Sequence, residues 1–320
     1  MSDLMNICLA SDENYACYMG LTMMSILENS QKEDEFVFYI LDNQISENSK
    51  RLIEQLKTIK FFEIHWIPIS NETLAGCKVV SETLTITTFA RLLIPNLIPE
   101  DKVLYLDCDI FVRTSLYPLF QTDVSDFFGA GVIDFYVNHT FVSNEVSPEI
   151  KPDLYFNAGV LLINSKKWRE NNIVNQLLDY AAKNSHKFLL ADQECLNFVL
   201  RSKIKILNPA WNVLDQSYDP VVVLKHKDKD KIIRAAKKPY IRHFKPWKKN
   251  NRWEFREEYI EMMKRSSWAH LVPVDDFHFW GWLGLFLIHW KKYPFFFASP
   301  RFYLRMKHRG FRRTVTRKIS

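Results

Sequence analysis

Apolar positions in the first seventy residues switch between two spacings. Asn6–Ala10 (NICLA) is a short buried run of strand length, closed by the polar turn Asp12–Asn14. From there to about Asn29, Cys17, Leu21, Met24 and Leu27 recur on one helical stripe. Phe36–Leu41 (FVFYIL) is strand-like again and ends at Asp42-Asn43. Ser46–Ile59 takes the helical spacing, and Phe61–Ile67 alternates as a strand. Strands and helices following one another in this way predict an α/β layered domain.

Further along, Thr87–Ile94 predicts a short helix stopped by Pro95, and Asp101–Val112 (DKVLYLDCDIFV) predicts an interior strand. Gly129–Ile133, Gly159–Asn164 and Tyr240–Phe244 predict strands, and Trp168–Lys183 and Asp192–Leu200 helices. Lys225–Lys238 is a charged run that reads as a solvated helix or loop. The pattern changes near Asp276. Phe277–Trp290 (FHFWGWLGLFLIHW) is aromatic and apolar, and a basic stretch runs from there to Ser320.

The 320 residues are 47% apolar and 14% aromatic, enough for a sizeable core. The formal charge of +6 hides an asymmetry: residues 291–320 hold ten Lys and Arg and no acid, so the rest is mildly acidic. The five cysteines are odd in number and scattered without a C-x-x-C pair. That argues against a disulfide framework or a zinc site and for a reducing compartment. No secretory signal is expected at the N-terminus. Only eight glycines occur, with no G-x-x-x-x-G-K or G-x-G-x-x-G, so a glycine loop is not the device for holding phosphate.

Chemistry concentrates in Asp101–Val112. On a continuous strand Leu104, Leu106, Cys108, Ile110 and Val112 share one face, and Val103, Tyr105, Asp107, Asp109 and Phe111 the other. The two carboxylates would then lie about 6–7 Å apart. Two such groups in a partly dry place repel each other and are costly to desolvate, and a divalent cation relieves both problems. The other reading is that the strand ends at Asp107 and the aspartates cap a turn. Asp228-Lys229-Asp230 has the same pattern without a hydrophobic frame and is given no role.

The segments LASDENYACY, TTFARLL, DKVLYLDCDIFV, YFNAGVLLINSKKW and LADQECLNFVL, followed by HFKPW, occur in this order. Together they resemble the retaining family-8 glycosyltransferases, most nearly the bacterial lipooligosaccharide galactosyl- and glucosyltransferases. The likeness covers residues 5 to about 250. It implies a GT-A fold, meaning a single Rossmann-like α/β domain (1–275) with a mixed central sheet; the change of composition near Asp276 sets off a helical aromatic and basic tail (276–320). It also implies a hexose moved from a UDP-sugar to a saccharide acceptor.

Carried onto this chain, the resemblance puts the nucleoside on Ala10, Asp12, Asn14 and Tyr15. Taken alone, those residues also read as a turn capping the next helix. It makes Arg91 a clamp on the donor, and Asp107, Asp109 and His243 the ligands of Mn²⁺, with Mg²⁺ as the alternative. Cys108 joins the donor-binding set. Asn157, Ala158 and Asp192 contact the sugar, Gln193 lies beneath the anomeric carbon, and Lys245 reaches the phosphates. In isolation Asn157-Ala158-Gly159 is also ordinary turn chemistry, and Asp192 a plain helix cap. Asp109, Asp192 and Gln193 form the implied catalytic group. Gln193 is a weak nucleophile, which favours attack on the face of the leaving group through an oxocarbenium-like ion pair. The chain departs from the family at His243-Phe244-Lys245-Pro246-Trp247, four residues shorter than the usual His-x-x-Gly-x-x-Lys-Pro-Trp and without its Gly.

Phe277–Trp290 is too short to span a bilayer. Its tryptophans beside Lys and Arg suit a headgroup interface, so the expectation is a cytoplasmic enzyme attached to the inner face of the plasma membrane through 277–320. No nucleic-acid recognition motif is present. A sugar nucleotidyltransferase would carry a glycine-rich basic N-terminal loop, and none is found. A catalytically silent, membrane-bound sugar-nucleotide binder is the second reading, prompted by the shortened His–Lys spacing.

Overall fold

The computed structural model describes residues 4–69, 86–135, 137, 154–184, 190, 192–201, 203–218, 223–224, 226–248 and 254–273, and nine strands organise these described residues. Nearly all of them belong to one unit, Met1–Trp247 with Asn251–Val272. The second unit, Lys248–Asn250 with Pro273–Ser320, lies almost wholly outside the described residues, and with it every expectation about the tail. Among the described residues no helix is long and apolar enough to cross a membrane.

β1 (Leu4–Asp12) runs into α1 (Glu13–Glu28), and Asp12 caps that helix by accepting the Tyr15 N–H at 3.1 Å. β2 (Glu35–Asn43) leads to α2 (Glu47–Glu54), capped by Ser46, and then to β3 (Glu63–Pro68). β4 (Lys102–Leu106), β6 (Gly129–Ile133), β7 (Phe156–Asn164) and β8 (Ile204–Ile206) complete a seven-stranded sheet in the order β3-β2-β1-β4-β7-β6-β8. Pairing is parallel from β3 to β4, antiparallel on both sides of β7, and parallel between β6 and β8. β5 (Ile110–Val112) and β9 (Ile241–His243) form a separate antiparallel ribbon.

Period-two alternation distributes the strand residues between two cores. Met5, Ile7, Leu9, Phe38, Leu104 and Leu162 pack on the α1 face. Cys8, Val37, Tyr39, Val103, Leu161 and Ile163 pack on the other, against Phe89–Ile94, Trp168 and the helices Ile173–Asn184 and Asp192–Val199. A sheet covered on both faces needs runs that are apolar throughout, and β2 and β7 supply them.

Several boundaries differ from the sequence reading, each for a local reason. Thr87–Ile94 is 3₁₀ over Ile86–Leu93, and Pro95 opens the next helical turn, Ile94–Leu97, instead of stopping one. The Trp168–Lys183 helix is two helices, Ser165–Glu170 and Ile173–Asn184, broken where Asn172 turns left-handed at φ 52°. The charged run contains the helix Lys229–Lys237, whose Ile232, Ala235 and Ala236 are buried, so it is amphipathic and not simply solvated. β8 and the helix Arg256–Lys264 were not anticipated.

The main correction concerns Asp101–Val112. It is not one strand. β4 ends at Leu106, Asp107-Cys108-Asp109 form a turn, and β5 starts at Ile110 in the other sheet. The Thr22 hydroxyl of α1, 3.0 Å from the carbonyls of both Cys108 and Ile110, holds the turn from below.

Candidate active site

The C-terminal ends of β1, β4 and β6, the entrance of β7 and the end of β9 share one edge of the fold, the usual place for a ligand crevice in an open α/β sheet. The break after Leu106 delivers Asp107 and Asp109 there. The Asp107 N–H donates to the Gly159 carbonyl at 2.9 Å, and the Phe244 N–H to the Asp109 carbonyl at 2.9 Å. One acid is thus tied to β7 and the other to β9. His243 Nε2 lies 3.0 Å from Asp109 Oδ1 and 3.9 Å from Asp107 Oδ2. One ligand atom from each of the three residues falls within 4.8 Å of the others. Two carboxylates with an imidazole make a mixed oxygen and nitrogen donor set that suits a first-row divalent cation such as Mn²⁺. Gly159 forms one wall of this cradle: a Cβ there would meet His243 Cε1 at 2.4 Å and Asp107 Oδ2 at 2.7 Å.

Burial works against charge on Asp109, but the facing His243 and then Lys245 hold its carboxyl below the usual range. Burial would lower His243, and the same Asp109 raises it. Lys245 Nζ stands 3.8 Å from Asp109 Oδ2, so the shortened spacing still brings the ammonium to the acid pair. The thiol of Cys108, pushed up by burial, turns away from the cradle toward the Ala10 carbonyl at 3.2 Å.

Arg91 joins the acid pair to the other half of the site. It is 7% exposed, forms ion pairs with Asp107 Oδ1 at 3.0 Å and Asp192 Oδ2 at 2.9 Å, and donates to the Ala158 carbonyl at 2.9 Å. Its guanidinium stacks 4.5 Å over the Tyr105 ring, whose hydroxyl donates to Asp107 at 2.8 Å. Burial pushes the Asp192 carboxyl up to about 7, against the pull of Arg91.

Gln193 and Asn157 meet at Asp134. Gln193 Oε1 accepts from the Ala158 N–H and from Asn157 Nδ2, both at 3.0 Å, and Gln193 Nε2 donates to Asp134 Oδ2 at 3.1 Å. Asn197, one turn further along the same helix, locks the β7 entrance by bonding the Phe156 N–H and carbonyl, each at 2.8 Å. Beyond the acid pair, Tyr15 is 38% exposed and sits edge-on to Trp247, which stacks on Tyr18 at 3.8 Å. Ala10 and Asn14 flank it at the β1–α1 junction.

The structure therefore brings together Asp107, Asp109, His243 and Lys245 at one end, and Arg91, Asp192, Gln193, Asn157 and Ala158 beside them. The set of Ala10, Asp12, Asn14 and Tyr15 lies at the neighbouring strand end. The sequence reading missed Asp134, Asn212 and Tyr105. Asp134 gave the signal Asp107 gave, an acid directly after a buried strand. Tyr105 was placed on the correct face but assigned nothing. Asn212 gave no signal, since it lies 55 residues from its partner Asn157.

A family model described as Glycosyl transferase family 8 matches residues 6–251. General stress protein A of Bacillus subtilis (strain 168) is 28% identical over 282 residues, spanning 83% of this chain and 95% of that protein. A lipopolysaccharide 1,2-glucosyltransferase of Escherichia coli is 29% identical over 213 residues, spanning 65% of this chain and 62% of that protein. Among solved structures, the galactosyltransferase LgtC in complex with donor and acceptor sugar analogues superposes with a TM-score of 0.74 at 29% identity, covering 83% of this chain and 100% of that one. Sequence motifs, strand order and these likenesses agree: the chain belongs to glycosyl transferase family 8 and has the GT-A fold.

Proposed function

We propose that the protein is a metal-dependent, retaining hexosyltransferase. It would move galactose or glucose from a UDP-sugar to a hydroxyl of a saccharide acceptor, in the synthesis of lipopolysaccharide, lipooligosaccharide or another surface glycan. The observation that carries the reading is the convergence of Asp107, Asp109 and His243 within 4.8 Å, beside a buried amide cluster at one edge of the sheet. The lipopolysaccharide glucosyltransferase and galactosyltransferase likenesses support the hexose and the glycan.

In this reading Ala10, Asp12 and Asn14 receive the nucleoside, and the exposed Tyr15 ring offers the base a stacking face. Asp107, Asp109 and His243 would hold a divalent cation, which would supply positive charge where the diphosphate departs. Lys245 adds a second charge there, with Cys108 beneath through its main chain. Arg91 holds Asp107 and Asp192 in place for donor and sugar contacts. Asn157, Ala158, Asp192 and Gln193 orient the hexose. The bond between the anomeric carbon and the diphosphate oxygen breaks as the acceptor hydroxyl attacks from the same face. The hydroxyl proton passes to the departing phosphate oxygen. Gln193 Oε1 already accepts two N–H groups, so its role is to position and to stabilise developing positive charge, not to form a bond.

The test is turnover. UDP-galactose or UDP-glucose with Mn²⁺ should give UDP release that a chelator abolishes, and mass spectrometry over a donor panel should identify the hexose. Donor binding without release over that panel would instead favour the silent binder. Residues 276–320 are proposed as a tail that docks on the inner face of the plasma membrane, near a lipid-linked acceptor. Sedimentation with anionic vesicles should be strong at low salt and weakened by replacing Arg312, Arg313, Arg317 and Lys318 with Gln.

A further inference from the structure

The amides around Asn157 can be oriented without ambiguity, because two of their contacts are to main-chain N–H groups, which only donate. The Ala158 N–H lies 3.0 Å from Gln193 Oε1, and the Gly159 N–H 2.9 Å from Asn157 Oδ1. Gln193 Nε2 and Asn157 Nδ2 are then both turned to Asp134 Oδ2, each at 3.1 Å. Since Asn157 Oδ1 accepts, Asn212 must present Nδ2 to it across 2.8 Å. That leaves Asn212 Oδ1 as the atom 3.0 Å from His243 Nδ1. An amide oxygen at that distance requires a proton on Nδ1. Nε2 is the ring atom left for the carboxylates.

We propose that Asn212 is a positioning residue for the candidate cation centre. Anchored to the Gly159 main chain through Asn157, it keeps the proton of His243 on Nδ1 and so reserves Nε2 for a cation shared with Asp107 and Asp109. This rests on the metal reading of that cluster. With the proton held on Nδ1, Nε2 keeps its lone pair for a cation. Asn212 is well fixed for the task. It is 2% exposed, it ends the 3₁₀ turn Pro209–Trp211, and the next residue, Val213, bridges to β9 at Arg242. The relay also ties the cation end of the site to the amide cluster that faces the sugar end.

Mn²⁺ binding to the nucleotide-free full chain, followed by electron paramagnetic resonance, tests this. Asn212→Ala should weaken Mn²⁺ by about 10- to 100-fold. Asn212→Asp, which keeps an acceptor for the Nδ1 proton but loses the amide donated to Asn157 Oδ1, should fall between Asn212→Ala and the unaltered protein. Equal affinity in Asn212→Ala, or a loss in Asn212→Asp as large as in Asn212→Ala, overturns the proposal. A second measurement needs no variant at position 212: ¹⁵N spectra of histidine-labelled protein, with His243 found by difference from His243→Gln, should show Nδ1 protonated. An unprotonated Nδ1 overturns it even if Asn212→Ala does not fold. If the unaltered protein binds no Mn²⁺, or His243→Gln binds it equally well, the metal reading itself fails, an outcome distinct from failure at Asn212 alone.

Discussion

Arg91 faces two carboxylates at once, Asp107 and Asp192, from a position almost closed to solvent. Removing its charge leaves the buried Asp192 and the half-buried Asp107 each with one partner fewer. Arg91→Met is therefore expected to lower stability by about 3–5 kcal/mol in urea unfolding, and Arg91→Lys to recover only part of it, since one ammonium cannot copy the fork. Asp109→Asn tests chemistry at nearly constant shape: UDP release should vanish while the far-ultraviolet circular dichroism is unchanged. Gly159→Ala pushes a methyl group into His243 and Asp107, so Mn²⁺ affinity should fall by an order of magnitude or more in the same titration. The acid pair was legible because a hydrophobic frame surrounds it. Asp134 carried the same kind of mark, and its partners Gln193 and Asn157 could not be inferred from spacing.

At the scale of elements, the break between β4 and β5 decides the geometry of the site. Apolar alternation continues on one face through Asp101–Val112, so the two aspartates are the only local mark of the break. What enforces it comes from elsewhere: the Thr22 hydroxyl 86 residues before Cys108, and the pairing of Ile110 with His243. The two readings of the aspartates, cation ligands or turn formers, turn out to be compatible, since the turn is what aims the carboxylates. A second junction lies between α1 and α2. There the Glu13 carboxylate accepts from the Ser46 N–H and from the hydroxyls of Ser46 and Ser49, at 2.8, 2.9 and 3.0 Å. Slight burial opposes ionisation of Glu13, and these hydrogen bonds outweigh it and lower its pKa. A carboxyl lowered in the fold adds stability above its unfolded pKa and loses it as pH falls through the folded value. Glu13→Gln should therefore cost about 0.5–1 kcal/mol at pH 7, with the difference closing below about pH 4 in parallel urea titrations.

Across the whole molecule, the order of strands and helices was legible through residue 250 because each alternation or stripe spans enough residues to declare itself. The three-residue strand β8 does not, and its place is set by its neighbour β6, whereas β9 falls within the strand expected over Tyr240–Phe244. Closure of the N-terminal half by the C-terminal one was equally hidden. The ring of Trp268 occupies the space beside Gly20 on α1, where a Cβ would stand 2.1 Å from the indole. Gly20→Val should expel that ring and cost about 1–3 kcal/mol, read as a lowered melting temperature with the sheet's circular dichroism retained.

β9 is stitched to β5 and to no strand of the large sheet. The turn from Phe244 to Trp247 thus hangs from a ribbon outside the main ladder, held to the α1-face core through Ile241, Phe244 and Trp247. Connectors of different length can be exchanged at that point during divergence without re-registering a single rung of the main ladder. The short spacing between His243 and Lys245 is then a change of fitting on an unchanged chassis.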